Sequence, residues 1–330
     1  MKIELLWVTS IFIIMIILII SVIYSNTKYQ NKQKRKMKLL EEKYSNIVNK
    51  YYDILINEPL TKEIRERRKE NQKKGTIILV IGLLIFFIFP HISFGLIIFG
   101  IIKMNSNIKE YDNHYKENIM KKALNEYKPY LTYFPNGCIP EEYYQKAKFE
   151  NYDTYNSEDR INGKLDGNDF MIADVHVEDK RETSDGTTYV TLFKGPVAIM
   201  TLPNTQDINI AIINNKITNY HNNLPKINID NPIFEDIYDV YSDNQILAMR
   251  ILTPAVTNKI LSLYTKYDFK FEVKIINNTI YFRFYSGELF AANSIKPKEE
   301  ALRIAVYFEI LTGIEEMMKE FMKSISFLKN

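Results

Sequence analysis

Little in this chain invites a catalytic reading. It contains one cysteine, Cys138. That excludes an internal disulfide framework and metal clusters of the Cys-x-x-Cys type. A single thiol suits either side of a membrane, so it does not fix a compartment. Cys138 follows the turn glycine Gly137 with no histidine near it in sequence, which argues against an activated thiolate nucleophile. The GxSxG elbow, the Walker loop, GxGxxG, HExxH and the kinase signature are all missing. Internal repeats are missing too, which argues against a transporter. Charge of one sign is also scarce. The net charge is +3, and the basic residues lie beside apolar runs rather than on a module of their own. That distribution speaks against a nucleic-acid binder.

What is present is two long apolar runs free of charge. Residues 5–24 read LLWVTSIFIIMIILIISVIY, the length that crosses a hydrocarbon core of roughly 30 Å as a helix. No small-x-small cleavage site follows, so the run reads as an uncleaved span rather than a signal peptide. Trp7 and Tyr24 stand near its ends, as interfacial aromatics do. Only Lys2 precedes it, whereas Lys28, Lys32, Lys34, Arg35, Lys36 and Lys38 follow. The positive-inside rule then puts the following segment in the cytoplasm. The second run, residues 76–102, is broken by Pro90 and His91. As a single helix it is long for a bilayer. As two passes it is short, because each arm falls below the ~20 residues of a full crossing. A single pass sends the C-terminal part outside, and a kinked hairpin returns it to the cytoplasm. Lysines flank both sides of the run; those following it, Lys103, Lys109, Lys116, Lys121 and Lys122, favour the cytoplasm. Pro90 and His91 are expected at membrane depth, with His91 marking a polar turn or a proton-linked site.

Between and after these runs the periodicity is helical. Leu40, Tyr44, Ile47, Tyr51 and Leu55 form one stripe, suited to packing within the chain, to the membrane surface or to a partner helix. Residues 61–74 are almost all charge, with Thr61 as a candidate cap, and residues 65–74 could meet anionic lipid, with Glu63, Glu66 and Glu70 diluting their charge. Ile108, Tyr111, Tyr115, Ile119 and Leu124 mark a third helix ended by Lys128-Pro129. A short helix is expected to open near Pro140.

From residue 151 the pattern alternates. Strands are expected over residues 160–165, 169–178, 187–193, 196–202, 207–213 and 238–241, with turns at Asp166-Gly167-Asn168 and Ser184-Asp185-Gly186. Ser242-Asp243 reads as the N-cap of a helix opening at Asn244. Residues 254–267 and 297–322 read as helices, and residues 269–276 and 279–285 as a hairpin across Asn277-Asn278. The fold class is α+β, with N-terminal transmembrane and amphipathic helices ahead of a mostly antiparallel sheet domain carrying two or three packed helices. The divisions are residues 1–30, 31–75, 76–102, 103–150 and the α+β domain over 151–330.

Several quoted motifs occur here in the order known from one family. YLTYFPNGCIPEEYYQKAKF, YDTYNSEDRINGKLDGNDFMIADVHVE, TLFKGPV and FEDIYDVYSDNQILAMRILTPA resemble the uncharacterised bacterial membrane-protein family called domain of unknown function 3137. Asn156-Ser157 stands where that family tends to have a glycine, and Asn244 where a second aspartate is common. The resemblance implies membrane anchoring with the domain returned to the cytoplasm, and no established activity.

Two constellations merit a functional reading. Asp174, His176 and Glu178 alternate on one expected strand and so face one way. Such a row suits a divalent metal or acid–base chemistry, with His221 the other histidine in the domain. The alternative is a solvent-facing row opposite Ile172, Val175 and Val177. Asp243 and Arg250 flank a helix start that could receive a carboxylate or phosphate; capping and ion pairing are the plainer roles. Glu158 and Asp159 are adjacent, so in extended chain they point apart. No cofactor is implied. The expected protein is a non-enzymatic protein- or ligand-binding domain held at the bacterial cytoplasmic membrane, with the lipid bilayer and a protein or small ligand as partners and no nucleic acid. The alternative is a membrane-associated enzyme of unrecognised type, metal-dependent or not, using the His176 row or the Asp243–Arg250 region.

Overall fold

The computed structural model describes residues 42, 45–86, 88–184, 186–202, 208–217, 223–267, 270–290 and 296–326. The first apolar run with Trp7 and Tyr24, and also His221, lie outside the described residues.

The chain enters through α1 (Ser45–Asn57) and α2 (Pro59–Ile85). Pro59 sits at the first turn of α2, where its missing N–H costs nothing. The cap is Glu58, whose carboxylate accepts from the Thr61 backbone N–H at 2.5 Å. Thr61, expected as the cap, instead places its hydroxyl 2.7 Å from His114 Nε2. Helix α2 does not stop at Lys74, because no breaker separates the charged stretch from the apolar one. Its two halves form one rod of 27 residues. Helix α3 (Pro90–Asn105) folds back along the apolar half of α2. A Cβ added at Gly75 would lie 2.7 Å from the Gly100 carbonyl, and Ser93 Oγ donates to the Gly82 carbonyl at 2.7 Å. Small residues thus let the two backbones touch. Residues 76–102 are therefore a tight helical hairpin.

Helix α4 (Ile108–His114) passes through a π-helical turn, Tyr115–Met120, into α5 (Lys121–Tyr127). The π turn buries Tyr115, Ile119 and Met120. It leaves Lys116 buried.

One sheet of nine strands follows, in the order β1-β2-β3-β4-β9-β8-β5-β7-β6. Its strands are β1 (Thr132–Phe134), β2 (Thr154–Leu165), β3 (Asn168–Thr183), β4 (Gly186–Thr201), β5 (Asn209–Asn214), β6 (Lys226–Ile227), β7 (Tyr238–Ser242), β8 (Phe271–Ile276) and β9 (Thr279–Phe284). Every pairing is antiparallel. The connecting helices are α6 (Glu141–Ala147), α7 (Pro232–Glu235), α8 (Gln245–Ile251), α9 (Pro254–Tyr267) and α10 (Pro297–Ser326). The observed class is α+β. Helix α8 is capped by Asn244, whose side chain accepts from Leu247 N at 3.0 Å, one residue later than expected.

Alternation gives the sheet two buried faces. Phe271, Val273, Ile275, Ile280, Phe282 and Phe284 join the larger core with α1, α8, α9 and α10. Tyr51 and Tyr127 both pack on Phe308 of α10, at ring distances of 5.7 and 4.3 Å. The stripe of α1 is thereby used within the chain. Val175, Val177, Val197, Ile199 and Tyr281 face the other way, under Tyr144, Ala147 and Phe149.

Candidate functional site

The row on β3 does not behave as one unit. Phe170 and Ile172 share its face and belong to the larger core, so Ile172 is not opposite Asp174. Asp174 is 2 % exposed, and its Oδ2 accepts from the backbone N–H groups of Leu289 and Phe290 at 2.8 and 3.1 Å. Desolvation raises its pKa well above the carboxylate range. His176 and Glu178 lie farther out and half-buried, 3.5 Å apart, with His176 Nε2 3.0 Å from Thr191 Oγ1. Among the described residues, no group of three or more His, Cys, Asp or Glu side chains is arranged to hold a metal ion.

Asp243 is exposed and accepts from Asn209 Nδ2 at 3.0 Å. Arg250 is exposed on α8, which has only seven residues. Pro90 is the first residue of α3, and His91 beside it is exposed near the hairpin tip. Cys138 is free and exposed.

Sequence reasoning passed over the densest charge cluster, which lies on the smaller-core face. Glu272 on β8 and Arg283 on β9 are cross-strand partners. The Arg283 guanidinium pairs with the Glu272 and Glu150 carboxylates. Its Nη1 also donates to the Tyr144 hydroxyl at 3.0 Å, and that hydroxyl donates to Glu150 at 2.5 Å. Tyr285 donates to Glu272 at 3.2 Å. Phe149, Phe193 and Tyr285 stand 4.3, 5.0 and 5.2 Å from the guanidinium carbon. One strand position pair away, Lys274 donates to the Lys148 carbonyl at 2.6 Å. Burial lowers its pKa to about 8, despite the nearby Glu272. The alternation F-E-V-K-I is visible in sequence, but not that α6 and the segment to Glu150 cover the charged side of the strand.

Two clefts open beside this cluster. One of about 370 Å³ is lined by Lys148, Asn209, Ala211, Asn223, Leu224 and Lys274, among others. The other, about 170 Å³, is lined by Glu150, Lys216, Lys270, Arg283 and Tyr285 with Leu192 and Ile217. Their mixed cations, amides and apolar walls suit recognition of a polar ligand. They hold no nucleophile paired with a base.

A second polar junction ties the helices to the sheet. Lys116 Nζ lies 2.7 Å from Asp159 Oδ2, 3.1 Å from Glu158 Oε2 and 3.4 Å from Asp112 Oδ2. Asp159 sits at a bulge of β2 with φ +62°, so it points inward with the Tyr133 hydroxyl donating to it at 2.5 Å. Burial raises its pKa to about 6 against the pull of Lys116.

The hairpin has the opposite character. Ile77, Val80, Leu83, Leu84, Ile88, Phe89, Ile92, Phe94, Phe99 and Ile102 are all exposed. They lie on both arms and at the tip. Among the described residues, the stretch Pro90–Tyr127, which takes in α3, α4, the π turn and α5, is long and apolar enough to cross a membrane by length and composition.

Strands β8 and β9 of the cluster fall within a recognised sequence unit. Residues 191–327 match the model of the family described as Protein of unknown function (DUF3137). The match to DUF3137 takes in Glu272, Lys274 and Arg283 but not Glu150, Asp174 or the hairpin. No curated protein matches the chain. The crystal structure of the mycobacterial trehalose monomycolate transport factor A, TtfA, aligns with 62 % of this chain and 97 % of that one, at 10 % identity and a TM-score of 0.35. A likeness at that score carries no argument.

Proposed function

We propose that this chain is a non-catalytic binding domain held at the bacterial cytoplasmic membrane, with its α+β domain on the cytoplasmic side. The carrying observation is the hairpin, whose apolar side chains are exposed among the described residues. Acyl chains are the solvent that suits such a surface. Its arms, about 11 and 13 residues of apolar helix, reach roughly 15–20 Å, short of the roughly 30 Å hydrocarbon core. On this reading the hairpin enters the bilayer and returns, so both flanks share one side. Lys73, Lys74 and Lys103 border its two arms, and the positive-inside rule makes that side the cytoplasm. The clefts beside Lys274 and Arg283 support a ligand-binding role for the domain.

The test uses the full chain with Cys138→Ser and Ile88→Cys, labelled at the tip with an environment-sensitive fluorophore. In vesicles the tip label is expected to be quenched by nitroxides on the acyl chains and shielded from aqueous iodide. Quenching by iodide equal to that of a label on Cys138 would exclude membrane insertion of the hairpin.

A further inference from the structure

The charged half of α2 sorts its cations into two kinds. Three of those at the surface have acidic partners: Arg67 with Glu63 and Glu110 at 2.8 and 3.1 Å, Lys69 with Glu66 at 2.9 Å, Lys74 with Glu70 at 2.7 Å. Arg65 and Arg68 face inward, 5 % and 6 % exposed, and among the described residues neither has an ion-pair partner. Arg65 donates from Nη1 to the Leu55 carbonyl at 3.0 Å, and its Nε has no partner. Arg68 has no hydrogen-bond partner at Nε or Nη1.

Across from them runs α4. Contacts between Thr61 and His114, Arg67 and Glu110, and Asn71 and Asn107, at 2.7, 3.1 and 2.6 Å, show the two helices facing each other along this length. Helix α4 and its π turn bring Tyr111 and Tyr115, both 1 % exposed and both with buried hydroxyls that have no hydrogen-bond partner. Arg68 lies over the Tyr111 ring at 5.4 Å, and the Tyr111 and Tyr115 rings are 6.5 Å apart. Two guanidinium groups and two phenols, all nine-tenths buried, thus bring to one interface N–H and O–H donors of which Arg65 Nε, Arg68 Nε and Nη1 and both hydroxyls have no hydrogen-bond partner.

We propose that Arg65, Arg68, Tyr111 and Tyr115 form a binding site for a phosphate oxyanion at the root of the hairpin. Buried donors in this number are costly unless an acceptor-rich partner meets them. A phosphate supplies several acceptor oxygens and negative charge, and arginine is the side chain whose planar fork fits it. The acids whose charge reaches Arg68 are Glu300 and Asp112. Asp112 also lies 3.4 Å from Lys116, and Glu300 is wholly buried. Desolvation lowers the Arg68 pKa, the direction for a cation short of counter-charge.

Position supplies the source. Arg68 precedes the apolar arm by roughly 10 Å of helix, which is the level of the headgroups when the arm is in the hydrocarbon. The site therefore takes a phospholipid headgroup, and inorganic phosphate shares its chemistry. Only the lipid source rests on the membrane reading; the oxyanion site does not.

The experiment is thermal unfolding of the full chain in an uncharged detergent, so that no bilayer is required. The probes are dihexanoyl phosphatidylglycerol below its micellar concentration, inorganic phosphate, and sodium chloride at matched ionic strength. At a probe concentration about a hundred times its Kd, a midpoint rise on the order of 5 °C is expected. The rise should vanish in Arg68→Gln, shrink in Tyr111→Phe and persist in Lys69→Gln. A rise with the short-chain lipid alone assigns the site to a headgroup; an equal rise with inorganic phosphate assigns it to free phosphate. A rise of the same size with chloride, a rise unchanged in both Arg68→Gln and Tyr111→Phe, or no rise with either phosphate probe overturns the site. Tyr111→Phe, which removes only a hydroxyl, keeps the result decisive if Arg68→Gln does not fold. Tip-label quenching reads insertion separately, so failure of one leaves the other standing.

Discussion

Lys274 shows how far a single residue departs from what its type suggests. It is 5 % exposed on a central strand, between the sheet and the segment after α6. Its folded-state pKa of about 8 lies below the ordinary value of 10.5. Between those two pH values the unfolded chain binds the proton more readily than the folded one, so this group makes stability rise with pH across that window. Stability gained above the window is lost as pH falls through about 8. At 1.36 kcal/mol per pKa unit the difference is on the order of 3 kcal/mol. Urea unfolding at stepped pH is expected to show wild type gaining on Lys274→Met by that order across the window. Parallel pH profiles for the two proteins would contradict it. The alternation that puts Lys274 beside Glu272 can be read from the strand itself. The cost of placing it there cannot, because the cover comes from residues more than a hundred positions earlier. Asp174 teaches the same point: its parity with Ile172 assigns its face, but only the loop at Leu289 and Phe290 makes that face buried.

At the scale of elements, the hairpin turns, the α9 start at Pro254 and the final helix were legible because their signals are local: turn residues, a proline and a sustained period. Breaks were harder to read. Residues 187–193 and 196–202 look like two strands because Gly195-Pro196 reads as a breaker, yet β4 runs unbroken from Gly186 to Thr201. Pro196 is tolerated because β9 first pairs with β4 at Val197, so its missing N–H breaks no ladder on that side. Gly195 is required because the Phe284 backbone carbonyl approaches the space a Cβ would fill. Gly195→Ala is expected to cost roughly 1–3 kcal/mol by overpacking, read as a lower denaturant midpoint at unchanged slope. A midpoint equal to wild type would mean that β9 moves aside freely. The π turn belongs to this scale as well. It buries Lys116, which meets Asp159 at 2.7 Å. Neither that pairing nor the Arg65–Arg68 site follows from periodicity, since each depends on which helix lies opposite.

The whole molecule joins two incompatible surfaces. Among the described residues, a nine-stranded antiparallel sheet buries one face under α1, α8, α9 and α10 and the other under α6, while a hairpin of two short arms exposes its apolar residues. The α2 rod carries both characters without a break, so the hairpin and the α4 interface are mechanically continuous. If the hairpin enters and returns, the sheet domain and the charged half of α2 lie on one side, and the tip does not reach the other. The chain's one cysteine makes this directly measurable, because Cys138 is exposed on the domain. A membrane-impermeant maleimide is applied to spheroplasts and to inside-out vesicles, with wild type and with Cys138→Ser, Ile88→Cys. Cys138 is expected to react only in the inside-out vesicles, and the Ile88→Cys tip to react in neither preparation. Labelling of Cys138 in spheroplasts, or of the tip from the outer face, would contradict a returning hairpin with a cytoplasmic domain.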